Sequence, residues 1–165
     1  MSVAEFRMVL ADEAATKSVA EALSRVAEPG DLIALSGDLG AGKSTLARSF
    51  IRAALGEPEA DVPSPTFTLV QEYDHPSGYP IFHADLYRLT PGEGVEDLGL
   101  EDEQPYAVLL IEWPDRLPEG WHENVLEIRL ELQAAGSGAR LMIVRYSNDK
   151  WRQKLSDAGL LGVEA

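Results

Sequence analysis

The 165-residue chain contains no cysteine, which excludes disulfides and thiolate metal sites. Histidine is almost as scarce, with 3 residues, so a zinc centre is not expected. No apolar run approaches the roughly 18 residues that a membrane-spanning helix needs. The first residues, "MSVAEFRMVLADE", mix charges and lack an apolar stretch before a small-residue cleavage site. They do not read as a secretory signal, and a cytoplasmic protein is expected. Positive charge is also short: 14 Lys and Arg stand against 28 Asp and Glu, for a formal net charge of −14. Proteins that hold nucleic acid alone usually present a basic face. This chain is therefore not expected to grip RNA or DNA unaided, and most of its charge reads as a solvated surface.

What is present suits one globular domain over residues 1–165, with a C-terminal helix and tail from about 148. "EFRMVL" (5–10) reads as a short strand. "DEAATKSVAEALSRVA" (12–27) has Val19, Leu23 and Val26 at helical spacing, with Asp12 as its N-cap. "DLIALS" (31–36) is a compact apolar run suited to a buried parallel strand. "STLARSFIRAALG" (44–56) reads as a helix closed by Gly56. "TFTLVQEY" (66–73) and "YPIFHA" (79–84) predict a hairpin around "DHPSG". "TPGEGVEDLGLEDE" is helix or loop, and "YAVLLI" (106–111) is a second buried strand. "NVLEIRLEL" (124–132) and "ARLMIVRY" (139–146) alternate like antiparallel strands, and a last helix is capped by Asn148 or Asp149. This order predicts an α/β sheet, part parallel and part antiparallel, with helices on both faces.

Between the first buried strand and its helix lies "GDLGAGKST", which matches the phosphate-loop pattern. Gly37, Gly40 and Gly42 allow positive φ and close backbone approach to phosphate oxygens. Successive N–H groups, those of Asp38, Leu39 and Ala41 included, can form an anion-binding nest. The helix that follows points its free N–H groups and positive dipole end at the same anion. Lys43 can reach β- and γ-phosphates, and Ser44, followed by Thr45, can place its hydroxyl on Mg²⁺.

Hydrolysis at such a loop needs an acidic residue near the metal, usually at the end of a buried strand. Glu112 directly follows "YAVLLI", and Asp85 follows "YPIFHA". Either can hold a Mg²⁺-bound water or orient the attacking water. Pro65 stiffens the turn after Ser64, and Thr66 then offers a hydroxyl where a switch loop would sense a γ-phosphate. His83, two residues before Asp85, reads as a packed polar residue. Trp113 can shield the phosphate end from water, while Trp121 and Trp151 read as packing. No Asn-Lys-x-Asp guanine element and no Leu-Ser-Gly-Gly transporter signature is present, and no clustered arginine lid marks a small-molecule kinase. A kinase and a nucleotide-dependent binding module remain the alternative classes.

"GDLGAGKST", "SPTFTLVQEY", "HADLYRL" and "LIEWPDRL", in this order and spacing, resemble the TsaE family, bacterial P-loop ATPases of tRNA threonylcarbamoyladenosine biosynthesis. The resemblance runs from about residue 9 to residue 146. It implies a P-loop NTPase-like fold, ATP and Mg²⁺ as ligands, and the partners TsaB and TsaD. That assembly modifies the adenosine beside the anticodon, and the ATPase resets it between turnovers, meeting tRNA only through the complex. It further implies that Ser44 and Glu112 serve the metal, Asp85 the metal or its water shell, and Thr66 the switch. Asp12 and Arg140 would frame the nucleotide. The acidic surface would then dock on a basic face of the partner.

Overall fold

The computed structural model describes residues 3–66, 68–90, 94–118, 125–133 and 137–161. Trp121, Phe67 of the "SPTFT" stretch and the tail 162–165 lie outside the described residues. Seven strands form one sheet: β1 (Ala4–Leu10), β2 (Leu32–Ser36), β3 (Val70–Asp74), β4 (Pro80–Asp85), β5 (Val108–Glu112), β6 (Val125–Leu132) and β7 (Arg140–Tyr146). Their spatial order is β1-β7-β6-β2-β5-β4-β3. The middle strands β6, β2, β5 and β4 run parallel, and antiparallel pairs flank them on both sides. The mixed sheet expected from the sequence is therefore present, with the apolar runs at its centre, where both faces are covered.

The longer helices are α1 (Glu13–Val26), α2 (Lys43–Leu55) and α4 (Asp149–Asp157), with a single turn, α3 (Leu100–Glu103), between them. Asp12 caps α1 by accepting from the Ala15 N–H at 2.9 Å, and Asn148 caps α4 in the same way through Trp151. Val19 and Leu23 of α1, Leu46 and Phe50 of α2, and Trp151 and Leu155 of α4 all enter one core with Ile33 and Leu35 of β2. Each such fully buried side chain contributes about 1.5–3 kcal/mol relative to exposure. The opposite face of β2, Leu32 and Ala34, packs against Leu86, Val95 and Leu100, which lie in short turns and α3. The long helices thus share one side of the sheet.

Two boundaries differ from the sequence reading. β3 begins at Val70, not at residue 66. Leu69 takes a positive φ of 69°, and its N–H turns back to the Pro65 carbonyl at 2.6 Å, so Thr66, Thr68 and Leu69 lie in a turn ahead of the strand. β5 begins at Val108 and ends on Glu112 itself, because Pro105 and Tyr106 belong to a preceding 3-10 turn. Among the described residues, no helix is long and apolar enough to cross a membrane.

Candidate functional site

Side chains alternate along a strand, so Ile81, His83 and Asp85 of β4 share a face, as do Val108, Leu110 and Glu112 of β5. Ile81, Val108 and Leu110 belong to the helix-side core. At the carboxyl ends of these strands the same face turns from apolar to ionisable. Asp85 and Glu112 are direct partners in the parallel register, and Leu35 at the end of β2 pairs with Glu112 on its other side. Ligands of open α/β sheets bind in the crevice outside the carboxyl ends of the strands.

The loop 37–42 leaves β2 at that end. Gly37, Gly40 and Gly42 have φ of 130°, 82° and 110°. Only glycine fits at Gly37, since a Cβ there would stand 2.2 Å from the Leu130 carbonyl oxygen of β6. The first helical hydrogen bond of α2 runs from the Leu46 N–H to the Gly42 carbonyl at 2.9 Å, and Gly42 brings no capping side chain. The first-turn donors of α2 are therefore left for an anion. Arg140 braces the loop from β7. Its Nε donates to the Ala41 carbonyl at 2.9 Å and its Nη2 to the Gly40 carbonyl at 3.4 Å.

Lys43 is 4% exposed. Its Nζ donates to the carbonyls of Gly37 at 2.6 Å and Asp38 at 3.0 Å, and it lies 4.5 Å from the centre of the Trp113 ring. Burial pushes the amine below the ordinary lysine range, and the charges of Glu112, Asp85 and Asp38 oppose that push. Trp113 follows β5 with left-handed backbone angles of φ 61° and ψ 57°. Such a conformation costs of order 1–3 kcal/mol for a bulky residue. It sets the ring over Lys43, with the Tyr87 ring 4.9 Å away.

The two carboxylates are 5% and 2% exposed at Asp85 and Glu112. The Ser44 hydroxyl donates to Glu112 Oε1 at 3.1 Å, and the Thr66 hydroxyl donates to Asp85 Oδ2 at 3.0 Å. The Tyr87 N–H donates to Asp85 Oδ1 at 3.0 Å. Glu112 Oε2 meets His83 Nε2 at 2.6 Å. That contact is what the sequence reading missed: His83 packs as expected, but it packs on the acid. The signal available was the spacing His83-x-Asp85 on one strand, which places both side chains on the same face.

A cleft of about 270 Å³ gathers Gly42, Lys43, Ser44, Thr66, Asp85, Glu112 and Trp113. A second, of about 230 Å³, is lined by Asp12, Thr16, Gly42, Thr45 and Arg140. The two share Gly42, Thr45 and Arg140, so they adjoin. Every site residue expected from the sequence lies in the loop or along these clefts. Asp12 and Arg140, expected to frame the nucleotide, both line the second cleft, and both are already engaged, one as a helix cap and the other as a loop brace.

The family model described as "Threonylcarbamoyl adenosine biosynthesis protein TsaE" matches residues 10–141. The chain belongs to the TsaE family. The family serves tRNA threonylcarbamoyladenosine biosynthesis. A TsaE protein of Rickettsia felis is 37% identical over 125 residues, covering 76% of this chain and 72% of that protein. One from Streptomyces coelicolor is 38% identical over 136 residues, covering 78% and 88%. One from Bacillus subtilis is 39% identical over 114 residues, covering 68% and 69%. The crystal structure of Bacillus subtilis YdiB superposes with a TM-score of 0.73 at 27% identity, covering 96% of this chain and 97% of that one. The matched span holds the loop, Thr66, Asp85, Glu112, Trp113 and Arg140 within a single stretch.

Proposed function

We propose that the chain binds ATP with Mg²⁺ in the loop-side cleft and hydrolyses it in support of tRNA threonylcarbamoyladenosine formation, docked on the TsaB–TsaD assembly. One observation carries the hydrolytic part: the Ser44 hydroxyl stands 3.1 Å from the buried Glu112 carboxylate, directly beside the Asp85–Thr66 pair and the glycine loop.

The donor set fits Mg²⁺. Ser44, Thr66, Asp85 and Glu112 offer hard oxygen atoms, and among the described residues no cluster of three or more His, Cys, Asp or Glu forms an all-protein cage. Mg²⁺ is typically held by one or two carboxylates together with phosphates and water. Ser44 and Glu112 would hold it, with Asp85 at the ion or its water shell. When bound, the ion neutralises charge that develops between the β- and γ-phosphates.

The chain's own groups do the rest. Loop amides and the first turn of α2 receive phosphate oxygens. Lys43 exchanges the Gly37 and Asp38 carbonyls for phosphate, a stronger partner for an ammonium. Thr66 exchanges Asp85 for the terminal phosphate, which couples nucleotide state to Thr66 and the Ser64 hydroxyl beside it. The carboxylate not committed to the metal side orients the attacking water. Trp113 keeps bulk water from the amine. The nucleoside extends toward Asp12, Thr16 and Arg140 in the adjoining cleft. Arg140, the one arginine among the described residues lining the loop-side cleft, is held on loop carbonyls, which agrees with slow turnover by the chain alone. The net charge of −14 suits docking on a basic face rather than direct tRNA binding.

The test is ATP hydrolysis by the purified chain alone, with the TsaB–TsaD pair, and with the pair plus tRNA. Slow turnover that rises on docking is expected. Glu112→Gln should still bind ATP but lose hydrolysis by about a hundredfold or more, along with repeated tRNA modification. Full turnover in that variant, or a phosphorylated small molecule made without partners, would overturn the reading. So would tight tRNA binding by the chain alone at about 150 mM salt.

A further inference from the structure

His83 is 1% exposed and sits in the helix-side face of β4, two residues before Asp85. Its Nε2 lies 2.6 Å from Glu112 Oε2, while the Ser44 hydroxyl is nearer the other oxygen of the same carboxylate, at 3.1 Å from Oε1 against 3.5 Å from Oε2. A carboxylate can only accept, so Nε2 carries the hydrogen in this contact. Nδ1 is buried and has no hydrogen-bond partner among the described residues. A histidine placed merely to satisfy the interior would use both of its nitrogens. This one spends its single bond on the acid and leaves its other nitrogen unpartnered.

We infer that His83 is a positioning residue for Glu112. It pins one carboxylate oxygen and thereby fixes which oxygen faces Ser44 and the phosphate loop. Without this donor, the Glu112 side chain is free to rotate about its last bond, and its two oxygens become equivalent. Hydrogen-bond partners behind a ligating or catalytic side chain orient it, and their loss typically costs about 10- to 100-fold in metal affinity or activity. The inference rests on the proposed hydrolytic role of Glu112 but adds a residue to it. Arg140 does the corresponding work on the other wall, where it holds the Gly40 and Ala41 carbonyls.

A pair of near-isosteric variants separates positioning from packing. In His83→Gln the side-chain amide nitrogen reaches about as far as Nε2, so it can still donate to Glu112. In His83→Asn the amide reaches only as far as Nδ1 and cannot. The two side chains are alike in polarity, so a packing role would make both variants suffer together. Positioning predicts that Gln keeps kcat within a fewfold of the parent while Asn loses about 10- to 100-fold. ATP affinity in the presence of EDTA should be the same in both, and the gain in affinity on adding Mg²⁺ should shrink only in Asn. Thermal melts establish that each variant folds. A ligand-free readout accompanies these: the His83 ring N–H should give a proton NMR signal protected from water exchange, lost or shifted in Glu112→Ala. Equal kinetics in Gln and Asn, in an active background, overturn the role of His83 alone. A parent protein that neither binds nor hydrolyses ATP overturns the functional reading, and this role with it, even where the ring N–H signal is seen.

Discussion

Strand β2 has buried ionisable groups at both of its ends, and the two ends use them differently. At its start, Asp31 is 2% exposed and fully partnered. Its Oδ2 receives the Glu28 N–H at 2.9 Å and the buried amine of Lys154, and its Oδ1 faces Lys150 at 3.3 Å. Lys154 also reaches Glu28 at 3.0 Å. Opposite charges meet, and the network ties α4 to the beginning of the central strand. At the other end, Lys43, Asp85 and Glu112 are equally buried but do not pair with one another. The amine holds loop carbonyls, and the acids hold hydroxyls and an imidazole. Carbonyls and hydroxyls are weaker partners for a charged group than a phosphate or a cation. Paired charge is what a fold uses to hold itself. Charge kept apart, on exchangeable partners, is what a binding site uses.

Removing Lys43 tests the contrast with the largest expected effect. Under the proposed reading, Lys43→Ala loses ATP binding and hydrolysis by about a hundredfold or more. Its melting temperature should stay within a few degrees of the parent, because the deleted amine is a desolvated charge without an ionic partner. Calorimetric ATP titration and thermal melting measure the two sides. A large fall in stability with ATP binding intact would reverse the roles assigned to the two ends.

The loop end was legible in the sequence because its parts are local. Three glycines at fixed spacing, a lysine and a hydroxyl, a strand before and a helix after all fall within some 25 residues. Asp85 and Glu112 were also legible, since each ends an apolar run. Their partners were not. The His83–Glu112 contact depends on the parallel register of β4 and β5, which no local periodicity encodes. The Asp31–Lys154 pair joins residues 123 apart in sequence, and Lys154 lies in a helix that read only as packing. The start of β3 misled in the opposite way. "TFTLV" alternates like a strand, but the Leu69 N–H bonds to the Pro65 carbonyl at 2.6 Å and Leu69 takes a positive φ, neither of which the alternation encodes.

Asp31→Ala is the complementary variant, with a middling effect on stability and none on the site. It leaves Lys154 buried, with only the exposed Glu28 as an ionic partner. Breaking one side of a buried pair costs roughly 3 kcal/mol or more, and retention of the Glu28 contact puts this case at the low end. Denaturant unfolding should report that loss while ATP affinity in the folded protein is unchanged. A parallel loss of ATP affinity would mean that the two ends of β2 are coupled through the strand.

The smallest effect is the pH dependence of the α4 anchor. Hydrogen bonding and charge from Lys154 hold the Glu28 carboxyl below the ordinary 4.5 of a glutamate, with Lys150 adding to the effect. For Lys150, burial favours the neutral form, but Asp31 and Glu28 together outweigh it and raise the amine above the ordinary 10.5. Glu28 binds its proton more weakly folded than unfolded. Its contribution to stability is therefore complete above the ordinary carboxylate value and is lost as pH falls through the lowered one. Lys150 binds its proton more tightly folded, so its contribution is complete below the ordinary lysine value and is lost as pH rises through the raised one. Between those limits the anchor should be insensitive to pH. Glu28 is largely exposed, so screening keeps the effect small. It is read as a difference: melting curves of the parent and Glu28→Gln should run parallel near neutral pH and converge as pH drops below about 4. Curves that stay parallel down to acid pH would show that the Glu28 charge contributes nothing to the anchor.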